Sequence, residues 1–408
     1  MELILFDDAA ARSWMPFALT RPVGELRFGA FTLRERAERF AGARCIGHLA
    51  GTELAPFDEP GAAPGMDRAV VAQSSDTPRL FLCARSVPHA SARFTGSRTS
   101  GLVRFGERVA GWYVAPGDPP PPDEFFDSPE AYVPEPRTSA AFDGQLLGHI
   151  WQLITENPER VILDFAALSG VAGASAQLAN VHVLGDAPDR LRVSATAHIE
   201  PGVVIDVRHG PVWIDEHVTV RAFTRLAGPA WICPHAIVLG GSIDAVSIGP
   251  VCRVRGEVEE TVMLGYSNKA HDGFLGHAYV GRWVNLGALT TNSDLKNNYG
   301  SVRLWTPGGD VDTGVMKLGC LLGDHTKTGI GVMLNTGTII GAGSNLFGAV
   351  QPPKHVLPFS WGSGADLSGY RLDRFMAVAE RAMARREVAL TPGIRAVLES
   401  AWRSTRRQ

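Results

Sequence analysis

Residues 214–238, IDEHVTVRAFTRLAGPAWICPHAIV, carry an aliphatic side chain at every sixth position: Ile214, Val220, Leu226, Ile232 and Val238. A half-buried strand alternates with period two and an amphipathic helix with period 3.6. Six is the period of a hexapeptide β-helix, in which short rungs turn corners and stack so that neighbouring coils bury one core. The same spacing returns in Val193, Ile199, Ile205, in Phe274, Val280, Leu286, and in Met316, Leu322, Thr328, Leu334, Ile340, Leu346. Glycine follows the aliphatic residue at Ile248-Gly249, Val280-Gly281, Leu286-Gly287, Leu322-Gly323 and Ile340-Gly341, where a tight corner needs unusual backbone angles. The phase slips around Gly241 to Ser247 and is lost from Thr291 to Thr313, where a loop is expected to project. Residues 181–350 are therefore expected to form a left-handed parallel β-helix.

Outward from this block the pattern changes. Residues 2–6, ELILF, read as a buried first strand, and Thr32 with Glu35 forms a capping-box pattern ahead of an amphipathic helix through Phe40. Apolar runs at Val70 to Ala72, Leu80 to Ala84 and Trp112 to Ala115 suit further strands, so residues 1–137 are expected to be an α/β domain that ends in a connector. That connector is the proline-dense stretch 115–137, APGDPPPPDEFFDSPEAYVPEPR. Apolar residues at helical spacing from Phe142 to Ile154 predict a bridging helix within 138–180. Residues 351–408 are expected to hold an irregular segment and a short helical tail over Leu372 to Arg386, whose Arg385 and Arg386, with Arg403, Arg406 and Arg407, read as a solvated face.

At 408 residues the chain exceeds one ordinary core, and 45% hydrophobic with 20% charged residues is the make-up of a folded globular protein. A net charge of -3 supplies no electrostatic reason to bind nucleic acid or an anionic membrane, and a small-molecule partner is expected. The five cysteines, Cys45, Cys83, Cys233, Cys252 and Cys320, form no CxxC pair, which argues against a disulfide framework or a zinc ribbon. The start MELILFDD lacks the basic and apolar regions of a signal peptide, and no run is long enough to span a bilayer. A cytoplasmic location is expected.

The densest polar constellation is residues 268–277, NKAHDGFLGH, followed by Trp283 to Ala288 and by Asn292, Asp294, Lys296, Asn297, Asn298 and Tyr299. This string resembles the acetyltransferase half of the bifunctional enzymes that make UDP-N-acetylglucosamine from glucosamine-1-phosphate. The resemblance implies that His271 is the general base, a role that suits an imidazole titrating near neutral pH. It implies that Arg255, in RVRG, grasps the sugar phosphate as a charged fork. Lys269, Phe274, Asn285, Asn292 and Lys296 then fall at or beside substrate-contacting positions, and the Ala288 backbone, in NLGA, falls where the family meets acetyl-CoA. The chain departs from the family at Phe274, where a tyrosine is usual, and at Glu260, where a lysine is usual. His277 reads as structural, or as a support behind the residues that meet the substrate. Family members assemble as homotrimers, so a homotrimer is expected.

Residues 12–22, RSWMPFALTRP, are similar to the segment that follows the glycine loop of sugar-phosphate nucleotidyltransferases. With TRPVGELRFG, NKAHDGFLGH and PPKHVLPFSWG, the chain resembles a divergent branch of those enzymes. That likeness implies a nucleoside triphosphate and Mg2+ as co-reactants, with Arg12, Arg21 and Arg27 supplying charge to the phosphates; the metal ligands are left unassigned. The loop itself reads FDDAAAR, without glycine, and Val23 stands where the family's lysine would be.

Three other readings stay open. The β-helix could be a trimerising scaffold for nucleotidyl transfer alone, or the chain could be a non-catalytic sugar-nucleotide sensor. His217 and His235, 18 residues apart, could also stack on one face as metal ligands in the manner of γ-carbonic anhydrases.

Overall fold

The computed structural model describes residues 1–132, 139–168, 178 and 180–405. The end of the proline-rich connector, residues 169–177 of the expected bridging segment, and Arg406 and Arg407 lie outside the described residues. The chain divides into two compact units: residues 1–26, 31–150 and 390–408 form one, and 27–30 with 151–389 form the other.

The first unit is built on a six-stranded sheet. Glu2–Phe6 is the second strand from one edge, parallel to the edge strand Cys45–Leu49 on one side and to Arg79–Cys83 on the other. Beyond Arg79–Cys83 come Arg108–Val114, antiparallel, and then Gly101–Phe105 and Ser139–Phe142. Leu3, Ile4, Leu5 and Phe6 are all buried, as a strand covered on both faces requires. The helix Leu33–Ala41 opens with the expected capping box, Thr32 and Glu35 each satisfying the other's backbone, and stops at Gly42 in the left-handed conformation.

Three expectations for this half are corrected. Arg68–Val70 is a 3-10 turn and not a strand. The proline-rich stretch folds a short helix, Asp123–Asp127, because Phe125 and Phe126 are buried against Phe6. The helix expected over 142–154 is replaced by a strand Gly144–Leu146, a single turn Gln152–Thr155, and a longer helix Asn157–Leu168. Pro158 sits in the first turn of that longer helix, where its missing N–H is no loss, so it opens a helix where the sequence suggested an end.

The second unit is the left-handed parallel β-helix. One face is a ladder of nine strands whose inward residues are Val193, Ile214, Ile232, Ile248, Met263, Val280, Leu322, Ile340 and Val356. All nine are buried in one core, each contributing about 1.5–3 kcal/mol of apolar burial. A second face stacks Ile199, Val220, Val238 and Val254, and a third stacks Ile205, Leu226, Ile243 and Val258. Ile214 to Ile232 spans 18 residues, the ideal coil, but Ile232 to Ile248 spans 16 and Ile248 to Met263 only 15. This shortening is the slip seen near Gly241. Gly240 and Gly241 take positive φ there, and a Cβ on Gly241 would lie 2.2 Å from the Gly256 carbonyl.

The shortened coils also move two expected rungs. On the third face the buried residue paired with Val258 is Leu275, whereas Phe274 points outward and is half-buried. Met316 is exposed, and the chain re-enters the core at Leu318. The irregular stretch after Thr291 does not leave the solenoid at once: Thr291–Asn292 stays on the third face, paired with Met333–Leu334, and the projecting part is a hairpin of Arg303–Thr306 and Gly309–Asp312. The tail has two helices, Leu372–Ala384 and Pro392–Ser404, the second capped by Thr391.

Candidate functional site

Lys269 occupies an inward rung position. It pairs with Val254 in the column Ile199, Val220, Val238, Val254, and it is 1% exposed. A lysine there escapes the cost of burying its charge only if its amine finds acceptors. The Nζ reaches the corner at the end of the face, where it donates to the Arg255 carbonyl at 3.1 Å and to the His271 carbonyl. Burial pushes its pKa down to about 8, against the pull of Asp272. The buried amine thus clamps the corner that carries His271.

At that corner His271 and Asp272 are exposed. Arg255, on the preceding coil, donates from Nε to Asp272 Oδ1 at 3.0 Å and from Nη1 to the Leu239 carbonyl at 3.0 Å. No hydrogen bond or ion pair of the His271 ring occurs among the described residues, so its nitrogens face solvent. The next corner outward holds Ala288 and Leu289: the Leu289 N–H donates to the Asp272 carbonyl at 3.0 Å, and the Ala288 carbonyl accepts from Gly331 at 2.8 Å. Arg255, Lys269, His271 and Ala288 therefore share three consecutive coils along one edge.

The other candidates lie apart from that edge. Asn285 is on the outer side of the second face, its Oδ1 accepting from Asn268 Nδ2 at 3.3 Å. Asn292 is buried, its amide committed to the backbone of Gly276. The Lys296 amine donates to the Ser301 carbonyl at 2.8 Å in the projecting loop. Phe274 lies against Gly276, where a Cβ would be 2.3 Å from the ring.

His277 proves more than a corner histidine. Its Nε2 is 3.2 Å from Glu260 Oε2 and its Nδ1 2.8 Å from Asp294 Oδ2, the latter an ion-pair contact without hydrogen-bond alignment. Burial alone would lower its pKa, but the two carboxylates outweigh it and raise the pKa to about 9. Glu260, which departs from the family's lysine, thus has a partner here. Glu259, Glu260 and His277 are the one cluster of potential metal ligands among the described residues. His217 and His235 stack with ring centroids 4.9 Å apart and belong to no such cluster.

In the α/β unit, Asp7 and Asp8 follow the carboxyl end of the strand Glu2–Phe6, the end at which open α/β sheets bind ligands. Asp8 caps the helix Ala9–Arg12 and is gripped by the buried Arg85, whose Nε donates to Oδ1 at 2.9 Å. Asp7 Oδ2 accepts from Val23 N–H at 3.0 Å, and burial raises its pKa to about 6. With one aspartate neutralised by arginine and the other enclosed, these two residues do not fit a Mg2+ site, which needs several open oxygens. Arg12 is partly exposed, donating to the Asp7 carbonyl and to Asp127 at 2.8 Å. Arg21 is buried against Glu59 at 2.9 Å, and Arg27 is buried with its guanidinium on the Ala30 carbonyl, so neither presents its charge to a triphosphate. Both are buried, where an unpaired guanidinium would be costly, and each is turned to an internal acceptor.

Residues 3–171 match the family model of sugar nucleotidyl transferases. The chain is 25% identical over 248 residues to the bifunctional protein GlmU of Nitrosospira multiformis, covering 55% of this chain and 50% of that one. It is 34% identical over 95 residues to the bifunctional sugar-1-phosphate nucleotidylyltransferase/acetyltransferase of Sulfurisphaera tokodaii, covering 23% and 24%. The N-acyltransferase AntD of Bacillus cereus aligns over 52% of this chain and all of its own, at 12% identity and a TM-score of 0.22, too loose to bear on the site. The chain spans half or less of the length of these curated relatives. It is similar to proteins whose names join a sugar-1-phosphate nucleotidylyltransferase to an acetyltransferase.

Proposed function

We propose that the β-helix is an acetyl-CoA-dependent N-acetyltransferase acting on a hexosamine-1-phosphate, and that the α/β unit transfers a nucleotidyl group to the product to give a nucleotide-activated N-acetyl amino sugar. The observation that carries this reading is the exposed His271 imidazole on a corner held from beneath by the buried Lys269 amine. In the reaction the sugar amine attacks the thioester carbonyl while His271 takes its proton; the C–N bond forms, the C–S bond breaks, and CoA leaves as the thiol. Arg255, beside Asp272 and half exposed, is placed to draw the sugar phosphate to this edge. Acetyl-CoA would run along the Ala288 corner.

A homotrimer fits the same edge. Leu289, Ile330, Met333 and Phe347 are exposed on neighbouring coils, an apolar surface that another copy would cover. Light scattering checks the mass. For the chemistry, the pure protein with acetyl-CoA and glucosamine-1-phosphate should release free thiol, and His271→Ala should abolish the release. No thiol with any hexosamine phosphate would overturn the acetyl-transfer reading. Pyrophosphate release with UTP or dTTP tests the α/β unit separately, and its absence there would leave the β-helix as the sole catalytic part.

A further inference from the structure

Glu259 pairs with Gly276 across two neighbouring coils, so the residues that follow them, Glu260 and His277, stack at one corner of the β-helix. Both take positive φ there, 42° and 47°, and the His277 N–H donates to the Glu259 carbonyl at 3.0 Å. The corner gathers side chains from the two coils. His277 Nε2 lies 3.2 Å from Glu260 Oε2, and one donor atom each of Glu259, Glu260 and His277 falls within 4.8 Å of the others. Behind the ring stands Asp294, its Oδ2 2.8 Å from Nδ1. A Cβ on Gly276 would come within 2.9 Å of that oxygen, so a glycine is what admits the carboxylate.

His277 is 4% exposed and Asp294 9%, yet Nδ1 and Oδ2 make no aligned hydrogen bond among the described residues. Buried polar atoms are satisfied as a rule, and an exception at this depth calls for a further partner, of which an ion is one. Charge points the same way. Glu259, Glu260 and Asp294 bring three negative charges, and Lys317, 3.4 Å from Glu259 Oε1, is the amine that faces them. A proton on the ring still leaves one negative charge over, and a divalent cation in its place leaves none.

We propose that Glu259, Glu260 and His277 Nε2 bind one divalent transition-metal cation of the zinc class, which ties one coil to the next while Asp294 holds the imidazole from behind. An imidazole with two carboxylates is a donor set for zinc and its neighbours, whereas Mg2+ and Ca2+ favour oxygen donors. A metal-bound histidine gives its second N–H to a carboxylate, which fixes the tautomer, and Asp294 stands where that acceptor belongs. On binding, the ion takes the place of the Nε2 proton, which leaves to solvent. The pairing of His277 with Glu260 in the metal-free chain and the metal site are thus two states of one cluster. His271 and His277 flank the strand Phe274–Gly276 at opposite ends, and the site does not rest on the acetyl-transfer reading.

Titration calorimetry of the full chain with Zn2+, after treatment with a chelator, tests this. One ion per chain is expected, bound more tightly than Mg2+ and raising the melting temperature as a ligand of the folded state does. Asp294→Asn should weaken Zn2+ by about 10–100-fold, the effect of removing a carboxylate behind a ligating histidine, and Glu259→Gln by at least about tenfold. His277→Gln should abolish the site. Glu259 is partly exposed and its replacement spares the buried ring, so a folding defect in the His277 variant leaves the test standing. His217→Gln, at the exposed stack with His235, should change nothing. Failure to bind one Zn2+ per chain, Mg2+ binding as tightly, or Zn2+ affinity that Glu259→Gln and His277→Gln both leave unchanged would sink the proposal. Loss of affinity in His217→Gln alone would put the ion on the histidine stack and overturn it as well.

Discussion

The side chain of Asn292 closes a two-way hydrogen bond with the backbone of Gly276: Oδ1 accepts from the Gly276 N–H and Nδ2 donates to its carbonyl, both at 2.9 Å. Asn292 stands where the third face of the β-helix carries an aliphatic rung, paired with Leu334. A primary amide is the side chain that can satisfy a peptide group on both sides at once. Asn292→Ala should therefore leave two buried backbone groups unpaired and cost about 2–4 kcal/mol, while Asn292→Asp, which keeps the acceptor and loses the donor, is also destabilising. Urea denaturation with the midpoint compared to the native chain measures this. An Ala variant as stable as the parent would show that water replaces the amide without loss.

The His277 clamp gives a pH dependence with a definite sign. Its folded pKa, near 9, lies above the ordinary 6.5, so its contribution to stability is fully present below about 6.5 and fades as pH rises through 9. Glu260 and Asp294 are shifted downward by the same contacts, so their contributions are present above the ordinary carboxylate range and fade in acid. Between roughly pH 5 and 6.5 all three act together. Between pH 6.5 and 8, below the range in which Lys269 titrates, melting temperature should fall in the native chain, and that slope should flatten in His277→Gln. A slope of equal size in the variant would place the pH response elsewhere.

Which of these features is legible in the sequence depends on whether residue type and position agree. Ile214, Val220 and Leu226 announce the three faces because that coil keeps the six-residue spacing and fills it with aliphatics. Where coils contract to 15 or 16 residues the period drifts, and Phe274 stands in phase although Leu275 is the residue inside. Lys269 and Asn292 are harder, because their types suggest ligand contact while the register puts both in the interior. A lysine aligned with Val220, Val238 and Val254 was the available signal, readable once the shortened coils are counted. The pairing of Arg21 was not readable at all, since Glu59 meets it only through tertiary folding. The same holds for Arg386, which reaches Asn268 across 118 residues of chain.

In the α/β unit, Arg85 and Asp8 form a buried bridge with side chains 2% and 5% exposed. Arg85→Met should strip the partner from an enclosed carboxylate and destabilise the protein by about 3–5 kcal/mol. Adding Asp8→Asn to that variant should recover part of the loss, since it removes the uncompensated charge while leaving an oxygen to cap Ala11 N–H. Chemical denaturation of the single and double variants decides it. A double variant no more stable than the single one would mean that packing of the arginine stem, and not its charge, supports the unit.

Lys269 separates positioning from folding. Methionine fills nearly the same volume without a charge to desolvate, and the Arg255 and His271 carbonyls that lose the amine lie at an exposed corner where water can reach them. Lys269→Met should thus keep or slightly raise the melting temperature at neutral pH. It should also remove a specific pH response: the folded pKa, about 8, lies below the ordinary 10.5, so the folded chain binds fewer protons between those values and gains stability as pH rises through them, a gain the methionine variant lacks. Acetyl transfer should behave oppositely. With the corner unclamped the imidazole drifts, and a misplacement of about 1 Å is enough to lower kcat/KM by about a hundredfold. Thiol-release kinetics beside thermal unfolding make the comparison. A variant that loses stability and activity in proportion would show that Lys269 serves only the fold, and one that keeps full activity while His271→Ala is dead would show that the corner holds its imidazole without the amine.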